Sequence, residues 1–391
     1  MARKSVTRCA LREVSYRTCS SSTDRTVTVR CTVDPESGTG SADGYGTAES
    51  EAVARKKAFS EAVERLLACT PFALEARPPT PPEPRPAPDP LADGVRAAPE
   101  NCRVRRYRSL AGDGTVQVPM FWSSPWVSDV ELRSATLWPS AARLSSTIGW
   151  AVAPSAQAAL RGALLELTEL LNYGTFLYQC LRGAPESEVP QRDSGQHDGV
   201  VRTVPIGFVS GTPTVLAITR HQGRLMPATG VGAASTLVEA TERAVLELAQ
   251  AEVLWRSNQN APADERLFMR RFDRWPLVRR CVALDFDLIA GGVSPDPSSR
   301  WSPLRELTAG GIETWADSGA VELSGPGVEA IRVHFAHVVA RPQPLLGLVR
   351  AGIPVFETGE VRKILDRSRR PRPRDRGSAE RAHGGRHPAG A

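Results

Sequence analysis

Apolar and polar positions follow two periods along this chain, and the two periods predict strands and helices in alternation. Val alternates with Thr and Arg over residues 25 to 33, which predicts a strand at the edge of a hairpin. Apolar residues recur every three or four positions from about 50 to 68, after Pro154, and after Thr236, which predicts three helices. The remaining predicted elements are strands within 200 to 220, 281 to 289 and 329 to 340, and a helix at 303 to 310. The order β, α, β, α, β predicts an α+β fold with a mixed α/β body.

One octet recurs on the three predicted helices, as AFSEAVER (58 to 65), ALLELTEL (163 to 170) and AVLELAQA (244 to 251). Each copy reads Ala, apolar, any residue, Glu, apolar, any residue, then Glu or Gln. A glycine precedes each copy at fifteen to seventeen residues before its first Glu, and we expect Gly46, Gly149 and Gly232 to form turns that lead into the helices.

Capping residues support two of these helix starts. Thr47 is suited to cap the first helix. Thr236 and Glu239 have the spacing of a capping box at the start of the third.

The polar residues of each octet share one helix face, because residues three and four apart lie on the same side of a helix. A single ExxE on an amphipathic helix is most often a solvated surface. Threefold repetition favours a converging site instead. The three stripes are Lys57, Glu61 and Glu64; Glu166 and Glu169; and Arg243, Glu247 and Gln250.

Carboxylates that converge with Arg and Gln are typical of a nucleoside triphosphate site that is bridged by metal. Magnesium takes oxygen ligands and often links one or two carboxylates to phosphates, and Arg65 or Arg243 could bind the phosphate oxygens. The chain contains no GxxxxGK[ST], no HRD or DFG triad and no strand followed by GxGxxG.

The composition of the chain narrows the class of protein further. The 391 residues, of which 41% are hydrophobic, suffice for a large core, and no apolar run approaches the length that spans a bilayer. We therefore expect a soluble, cytoplasmic protein that does not bind membranes. Seven cysteines without a CxxC pair, and six histidines without HExxH, favour reduced thiols over disulfides or zinc.

The predicted organisation has four parts. Residues 1 to 75 form an N-terminal strand and helix region, and 76 to 100 form a linker with nine prolines between 77 and 99. Residues 101 to 360 form the main body, and 361 to 391 a disordered basic tail.

The positive charge of the chain lies in this tail. From Arg362 onward there are ten Lys and Arg and three acidic residues, which gives a charge of +7. Because the net charge of the whole chain is +6, the rest of the chain carries −1. The basicity is thus local and does not favour nucleic acid as a partner. An alternative hypothesis is that residues 25 to 68 bind double-stranded RNA through Arg55, Lys56 and Lys57. This hypothesis gives the other two octets no role.

The three octets and their lead-in sequences resemble the signature segments of the YcaO superfamily, in order and over residues 40 to 350. The matching segments are GYGTAESEAVARKKAFSEAVERL, STIGWAVAPSAQAALRGALLELTEL and TGVGAASTLVEATERAVLELAQ. The resemblance implies antiparallel or mixed sheets flanked by helices that converge on an ATP site. It also implies ATP- and Mg²⁺-dependent activation of a backbone amide in a ribosomally made precursor peptide. Azoline formation at Cys, Ser or Thr is the expected product, with thioamide or amidine formation as alternatives.

Residue by residue, the resemblance implies a metal site and a phosphate site, and it assigns no catalytic acid or base. It also implies a separate partner protein that binds the leader of the precursor. Three positions depart from the family pattern: Lys57 replaces a usual Ser, and Leu170 and Leu171 replace a usual Arg and Asp. These departures favour a third alternative, a degenerate scaffold that binds precursor or partner enzyme. The implied metal ligands are Glu61, Glu64, Glu166, Glu169 and Glu247, and the implied ATP and phosphate ligands are Arg65, Arg243, Gln250 and Lys57.

Overall fold

The computed structural model describes residues 6–19, 26–73, 103–132, 145–183, 199–273, 275–285, 288, 301–326 and 328–343. The predicted proline-rich linker (76 to 100) and the predicted basic tail (361 to 391) lie outside these described residues.

Strands and helices alternate as the sequence pattern predicts. The strands are β1 (Thr7–Cys19), β2 (Val27–Pro35), β3 (Ala42–Ala48), β4 (Val104–Ser109), β5 (Thr115–Pro119), β6 (Trp150–Ala153), β7 (Arg202–Pro205), β8 (Thr214–Thr219), β9 (Ala228–Ala233), β10 (Glu313–Gly325) and β11 (Val328–Arg341). The helices are α1 (Glu51–Cys69), α2 (Met120–Ser123), α3 (Pro125–Leu132), α4 (Ala156–Gly183), α5 (Leu237–Ser257), α6 (Ala261–Arg270), α7 (Pro276–Ala283) and α8 (Pro303–Ala309).

Among the described residues, eight strands form one mixed sheet and three form a second, antiparallel sheet. The large sheet runs β3-β2-β1-β10-β11-β6, with β4 paired to β10 and β5 paired to β4. Its one parallel pair in the described part is β1 with β10, where Thr7 lies opposite Val321. The small sheet runs β7-β8-β9. This confirms the predicted mixed α/β architecture with helices against sheets.

The units β2-β3-α1 and β8-β9-α5 are two copies of one arrangement, related by a shift of 186 positions. In each unit an antiparallel strand pair is followed by a helix that packs on its second strand. Ser50 caps α1 and Thr236 caps α5, each by accepting a hydrogen bond from the backbone N–H three residues later. The repeat therefore places equivalent residues of α1 and α5 in equivalent positions on their sheets.

Glycines in β3 and β9 let each helix approach its strand closely. A Cβ at Gly46 would lie 2.2 Å from the carbonyl oxygen of Ala54, and one at Gly232 would lie 2.5 Å from that of Ala240. Backbone atoms cannot come this close to a side-chain carbon, so these strands accept only glycine without moving the helix. The small residues of the helices complete the contact, because Ala58 and Ala244 are fully buried against the sheets.

Helix α4 is the central element of the body. Its 28 residues run from the large sheet to the small one. Ala163 and Leu167 pack near β11 in one hydrophobic cluster, and Phe176 and Leu177 pack with the small sheet, α6 and α7 in another. The predicted helix start after Pro154 is confirmed, since Ser155 accepts a hydrogen bond from the backbone N–H of Ala158 (3.2 Å).

Several local predictions were wrong. Gly46 and Gly232 do not form turns but lie inside strands, where close packing rather than chain reversal requires glycine. Gly149 does lie in a turn, with φ of +81°. Thr47 is a strand residue, and Ser50 caps α1 instead.

Two strand predictions also need correction. The strand predicted at the edge of a hairpin is β2, which pairs on both sides, with β1 and with β3. The segment predicted as a strand at 281 to 289 begins instead as the last turn of α7, because Val278, Cys281 and Val282 bury one helical face.

Among the residues that the structure describes, the cysteines form no disulfide bond with one another; they are Cys9, Cys19, Cys31, Cys69, Cys180 and Cys281. None of the helices in the described part of the chain has the length and apolar character needed to cross a membrane.

Candidate active site

The first octet places the partly exposed carboxylates of Glu61 and Glu64 on helix α1, beside strand β3. Glu61 accepts a hydrogen bond from the backbone N–H of Tyr45 (2.7 Å) and one from the guanidinium of Arg65 (2.5 Å). Lys57, one turn earlier, donates from Nζ to the carbonyl oxygen of Thr47 (3.1 Å). Strand β3 and helix α1 therefore hold these side chains together.

The second octet contributes from α4, and the third from α5. Glu169 is buried and accepts a hydrogen bond from the backbone N–H of Ala233 at the end of β9 (2.8 Å). Arg243 donates to the carbonyl oxygen of the same residue (2.9 Å). Glu166 accepts a hydrogen bond from the backbone N–H of Gly149. Each polar stripe is thus anchored by backbone of a neighbouring strand or turn.

The structure brings the three stripes together, as predicted. The charge of Glu166 interacts with those of Glu64, Glu169 and Glu247, one from each stripe of the set. The charge of Glu247 interacts in turn with those of Glu61 and Lys57 on α1. Five carboxylates from three helices therefore share one site with the cations Lys57, Arg65 and Arg243.

Burial, and for most of them the crowding of like charges, favours the neutral form of the carboxyls in this site. Burial, followed by the charge of Glu61, raises the pKa of Glu64 to about 8. Burial and Glu169 raise the pKa of Glu247 to about 8, and burial raises that of Glu169 to about 7 against the opposing effect of Arg243. Burial and three neighbouring carboxylates raise the pKa of Glu166 well above its ordinary value. Burial also raises the pKa of Glu61, against the opposing effects of Arg65 and of the backbone N–H of Tyr45.

The site formed by these carboxyls and cations is open to water, and we call it the acidic cleft. Only Glu169 is buried by its surface area, whereas Glu61, Glu64 and Glu166 keep part of their surface exposed and Glu247 and Lys57 lie open at the mouth. The carboxyls nevertheless have protein on most sides, which accounts for the upward direction of their pKa values. Surface exposure decides what a ligand can reach, so we describe the site as an open acidic cleft rather than a sealed cavity.

A chain of hydroxyls that the sequence analysis did not select orients Gln250. Thr47 donates from its hydroxyl to Oε1 of Gln250 (3.2 Å), and its oxygen lies 2.9 Å from the hydroxyl of Thr28. The amide of Gln250 is thus held through its oxygen, which leaves its side-chain nitrogen as a donor. The paired GxG spacing of β3 and β9, in GYGTA and GVGAA, was the signal that could have identified these strands as part of the site.

Two of the three departures from the YcaO pattern have a structural role here. Leu171 is buried and Leu170 is packed against the hydrophobic cluster around α4. These positions therefore contribute to the core and not to the cleft. Lys57, the third departure, lies at the mouth of the cleft.

Within the described part of the chain, no three His, Cys, Asp or Glu side chains are already arranged around a common point as a metal site. Magnesium does not require such an arrangement, because it keeps several waters and commonly uses one or two carboxylates plus phosphate oxygens. The donor chemistry fits: the five carboxylates supply hard oxygen ligands and outnumber the three cationic side chains.

Helices that converge on an acidic cleft from the edges of a mixed sheet and a small antiparallel sheet define a YcaO-like fold. The chain is similar in structure to YcaO from Methanopyrus kandleri bound with AMPPCP and Mg²⁺, with a TM-score of 0.56 and 19% identity over 84% of this chain and 85% of that one. It is also similar to the E. coli microcin synthetase McbBCD complex, with a TM-score of 0.51 and 14% identity over 85% of this chain and 87% of that one. A heterocyclase in complex with substrate and cofactor gives a TM-score of 0.52 and 14% identity, over 84% of this chain and 50% of that one. No family model and no curated protein matches the sequence.

Proposed function

We propose that the chain binds ATP and Mg²⁺ in the acidic cleft and uses them to activate a backbone amide of a ribosomally made precursor peptide. The product we propose is an azoline formed at Cys, Ser or Thr. The observation that carries this proposal is the convergence of five carboxylates and three cations, from three helices, in a YcaO-like fold. Support for the cofactors comes from the Methanopyrus kandleri YcaO, which is bound with AMPPCP and Mg²⁺.

The carboxyls are suited to hold magnesium because their own charges repel one another. A divalent cation placed among Glu64, Glu166 and Glu247 offsets this repulsion and favours their ionised form. Glu169 is fixed through Oε1 by the backbone N–H of Ala233, so it can offer its second oxygen in a set direction, whereas both oxygens of Glu61 already accept hydrogen bonds, from Tyr45 and from Arg65. Metal binding to such carboxyls releases protons.

The cationic side chains and Gln250 are suited to hold phosphates. Arg243 is held by the carbonyl oxygen of Ala233, and Arg65 by Glu61, so both guanidiniums are oriented before a ligand arrives. The hydroxyl of Thr47 fixes the amide of Gln250 as a donor. When bound, MgATP supplies the phosphoryl group that lets the amide oxygen leave as phosphate after the precursor's nucleophile has added to the carbonyl.

We further propose that the precursor is presented by a separate partner protein. The support is by analogy: one similar structure is the McbBCD complex with pro-MccB17 bound, with a TM-score of 0.51 and 14% identity. Likeness at this level of identity concerns the fold, so the partner is a proposal for pull-down experiments with proteins encoded beside this chain.

A second candidate function is a degenerate scaffold that holds precursor or partner without turning over ATP. The observation that favours it is the placement of Leu170 and Leu171 in the core, where they cannot supply the Arg and Asp of the YcaO pattern. The two candidates differ in one property, ATP hydrolysis.

Hydrolysis of MgATP by the purified chain, with and without candidate precursor peptides, tests the proposal. We expect turnover that falls at least tenfold in Glu247→Gln, while Glu242→Gln, the same change at an exposed position of α5, leaves it unchanged. Mass spectrometry of the peptide then separates loss of water, as in azolines, from gain of sulfur or of an amine. Equal turnover in Glu247→Gln and the parent would contradict the assigned site, and nucleotide binding without turnover would favour the scaffold.

A further inference from the structure

Lys57 and Arg243 occupy the same position in the two copies of the strand-strand-helix unit. The shift of 186 positions that relates Gly46 to Gly232 and Glu61 to Glu247 also relates Lys57 to Arg243. The hydrogen bonds follow the same relation, since Lys57 donates to the carbonyl oxygen of Thr47 and Arg243 to that of Ala233, its equivalent. Both side chains are thus cations fixed by a backbone carbonyl, and their charges interact within one site.

In the second unit the charge of Arg243 interacts with that of Glu247 on the same helix. Lys57 of the first unit interacts with the same carboxylate, which lies on the other helix. The charge of Lys57 interacts with those of Glu247 and Arg243, both of which lie on α5. Its ammonium is held on the carbonyl oxygen of Thr47, whose hydroxyl bonds Gln250 of α5, so the charge lies within reach of Glu247, and the side chain is exposed. A positive charge fixed at this point competes with a divalent cation for the same oxygens.

We propose that Lys57 is a built-in cation that takes the place of one divalent metal ion in the cleft. The cleft consequently binds one divalent cation fewer than it would with an uncharged residue at position 57. This inference rests on the proposed function, because it assumes that divalent cations bind the carboxylates. It assigns to this chain a metal requirement that is set by its own residue 57.

The first test counts metal ions on the full-length chain without nucleotide. Mn²⁺ is titrated into the protein, and free Mn²⁺ is measured by electron paramagnetic resonance. The variants are Lys57→Ser and Lys57→Gln, which remove the charge, Lys57→Arg, which keeps it, and Lys56→Ser, a control at the adjacent exposed position. Circular dichroism and thermal unfolding verify that each variant is folded, and the Gln variant retains a side-chain donor for the carbonyl oxygen of Thr47.

We expect Lys57→Ser and Lys57→Gln each to bind one Mn²⁺ more than the parent, and Lys57→Arg and Lys56→Ser to bind the same number as the parent. Equal counts in the parent and in whichever charge-removing variant is folded would overturn the inference. So would an extra ion in Lys57→Arg, because the effect would then not depend on charge.

The second test uses AMPPCP as the ligand and varies the Mg²⁺ concentration over a range too low to fill the site of the nucleotide-free protein, so that the extra ion is taken up together with the nucleotide. The slope of the logarithm of the AMPPCP affinity against the logarithm of Mg²⁺ concentration counts the ions taken up with the nucleotide. We expect this slope to be greater by about one in Lys57→Gln than in the parent, because one more ion accompanies binding. An unchanged slope would overturn the inference. If AMPPCP binds neither protein while the Mn²⁺ counts differ by one, the proposed function fails and the role of Lys57 stands.

Discussion

The close contact between β9 and α5 predicts that Gly232→Ala displaces the helix that carries Glu247 and Arg243. A Cβ at Gly232 would lie 2.5 Å from the carbonyl oxygen of Ala240 and 2.6 Å from the backbone nitrogen of Ala244, where ordinary contacts begin at 3.4 Å. Both obstacles are backbone atoms of one helix, so relief requires a shift of α5 by roughly 1 Å rather than a rotamer change.

The expected cost follows from that shift. Overpacking of this kind costs about 2 to 3 kcal/mol, which corresponds to a fall in Tm of about 2 to 4 °C for a chain of this size. A displacement of about 1 Å in a site of converging groups also reduces ligand binding or turnover by roughly a hundredfold. We expect both effects in Gly232→Ala, measured by differential scanning calorimetry and by AMPPCP titration.

Gly114→Ala is the matched control. A Cβ there meets only the Cβ of Ser109, at an ordinary 3.9 Å, so its Tm and binding are expected to equal those of the parent. A Gly232→Ala protein with unchanged Tm and unchanged binding would refute the reasoning that this glycine sets the position of α5.

Three further outcomes are expected. The folded chain holds the protons of Glu64 and Glu247 up to a pH of about 8, whereas the unfolded chain releases them near the ordinary carboxyl pKa. The metal-free protein therefore loses stability as the pH rises from the ordinary carboxyl pKa to about 8. Scans of Tm against pH in EDTA should show the decline, and Glu64→Gln should flatten it; a Tm that rises over this range contradicts the pKa directions. Thr47→Val removes the hydrogen bond that orients Gln250, so we expect a loss of about 1 kcal/mol in urea unfolding and weaker AMPPCP binding, whereas unchanged affinity would mean that the amide needs no orientation. Arg105 is buried, and its Nε has no hydrogen-bond partner in the described structure. We therefore expect Arg105→Met to leave Tm unchanged or to raise it. A clear fall in Tm would show that the contact of Arg105 with the ring of Trp150 outweighs the cost of the buried charge.

Helical periodicity was a sufficient guide to the three helices and to the faces that carry the site. The spacing of Glu61, Glu64, Glu166 and Glu169 fixes their helix faces regardless of tertiary packing. That these faces meet in one cleft could be predicted only because the octet is repeated.

What the sequence pattern could not supply were the contacts made by strands. Gly46 and Gly232 were predicted to form turns, because a strand that packs closely against a helix has no local sequence signal other than the glycine itself. Thr47 read as a helix cap, since its hydrogen bond to Gln250 joins residues that are 203 positions apart. The strand predicted over 281 to 289 failed because a short apolar run fits a buried helix as well as a strand.

Calorimetric titration of the purified chain with AMPPCP, with and without Mg²⁺, tests the central claim most directly. The account predicts binding that depends on Mg²⁺, releases or exchanges protons as the crowded carboxyls ionise, and is lost in Glu247→Gln but kept in Glu242→Gln. Absence of binding by the folded parent, or equal binding by parent and Glu247→Gln, would contradict the claim that the three helices form a magnesium-dependent nucleotide site.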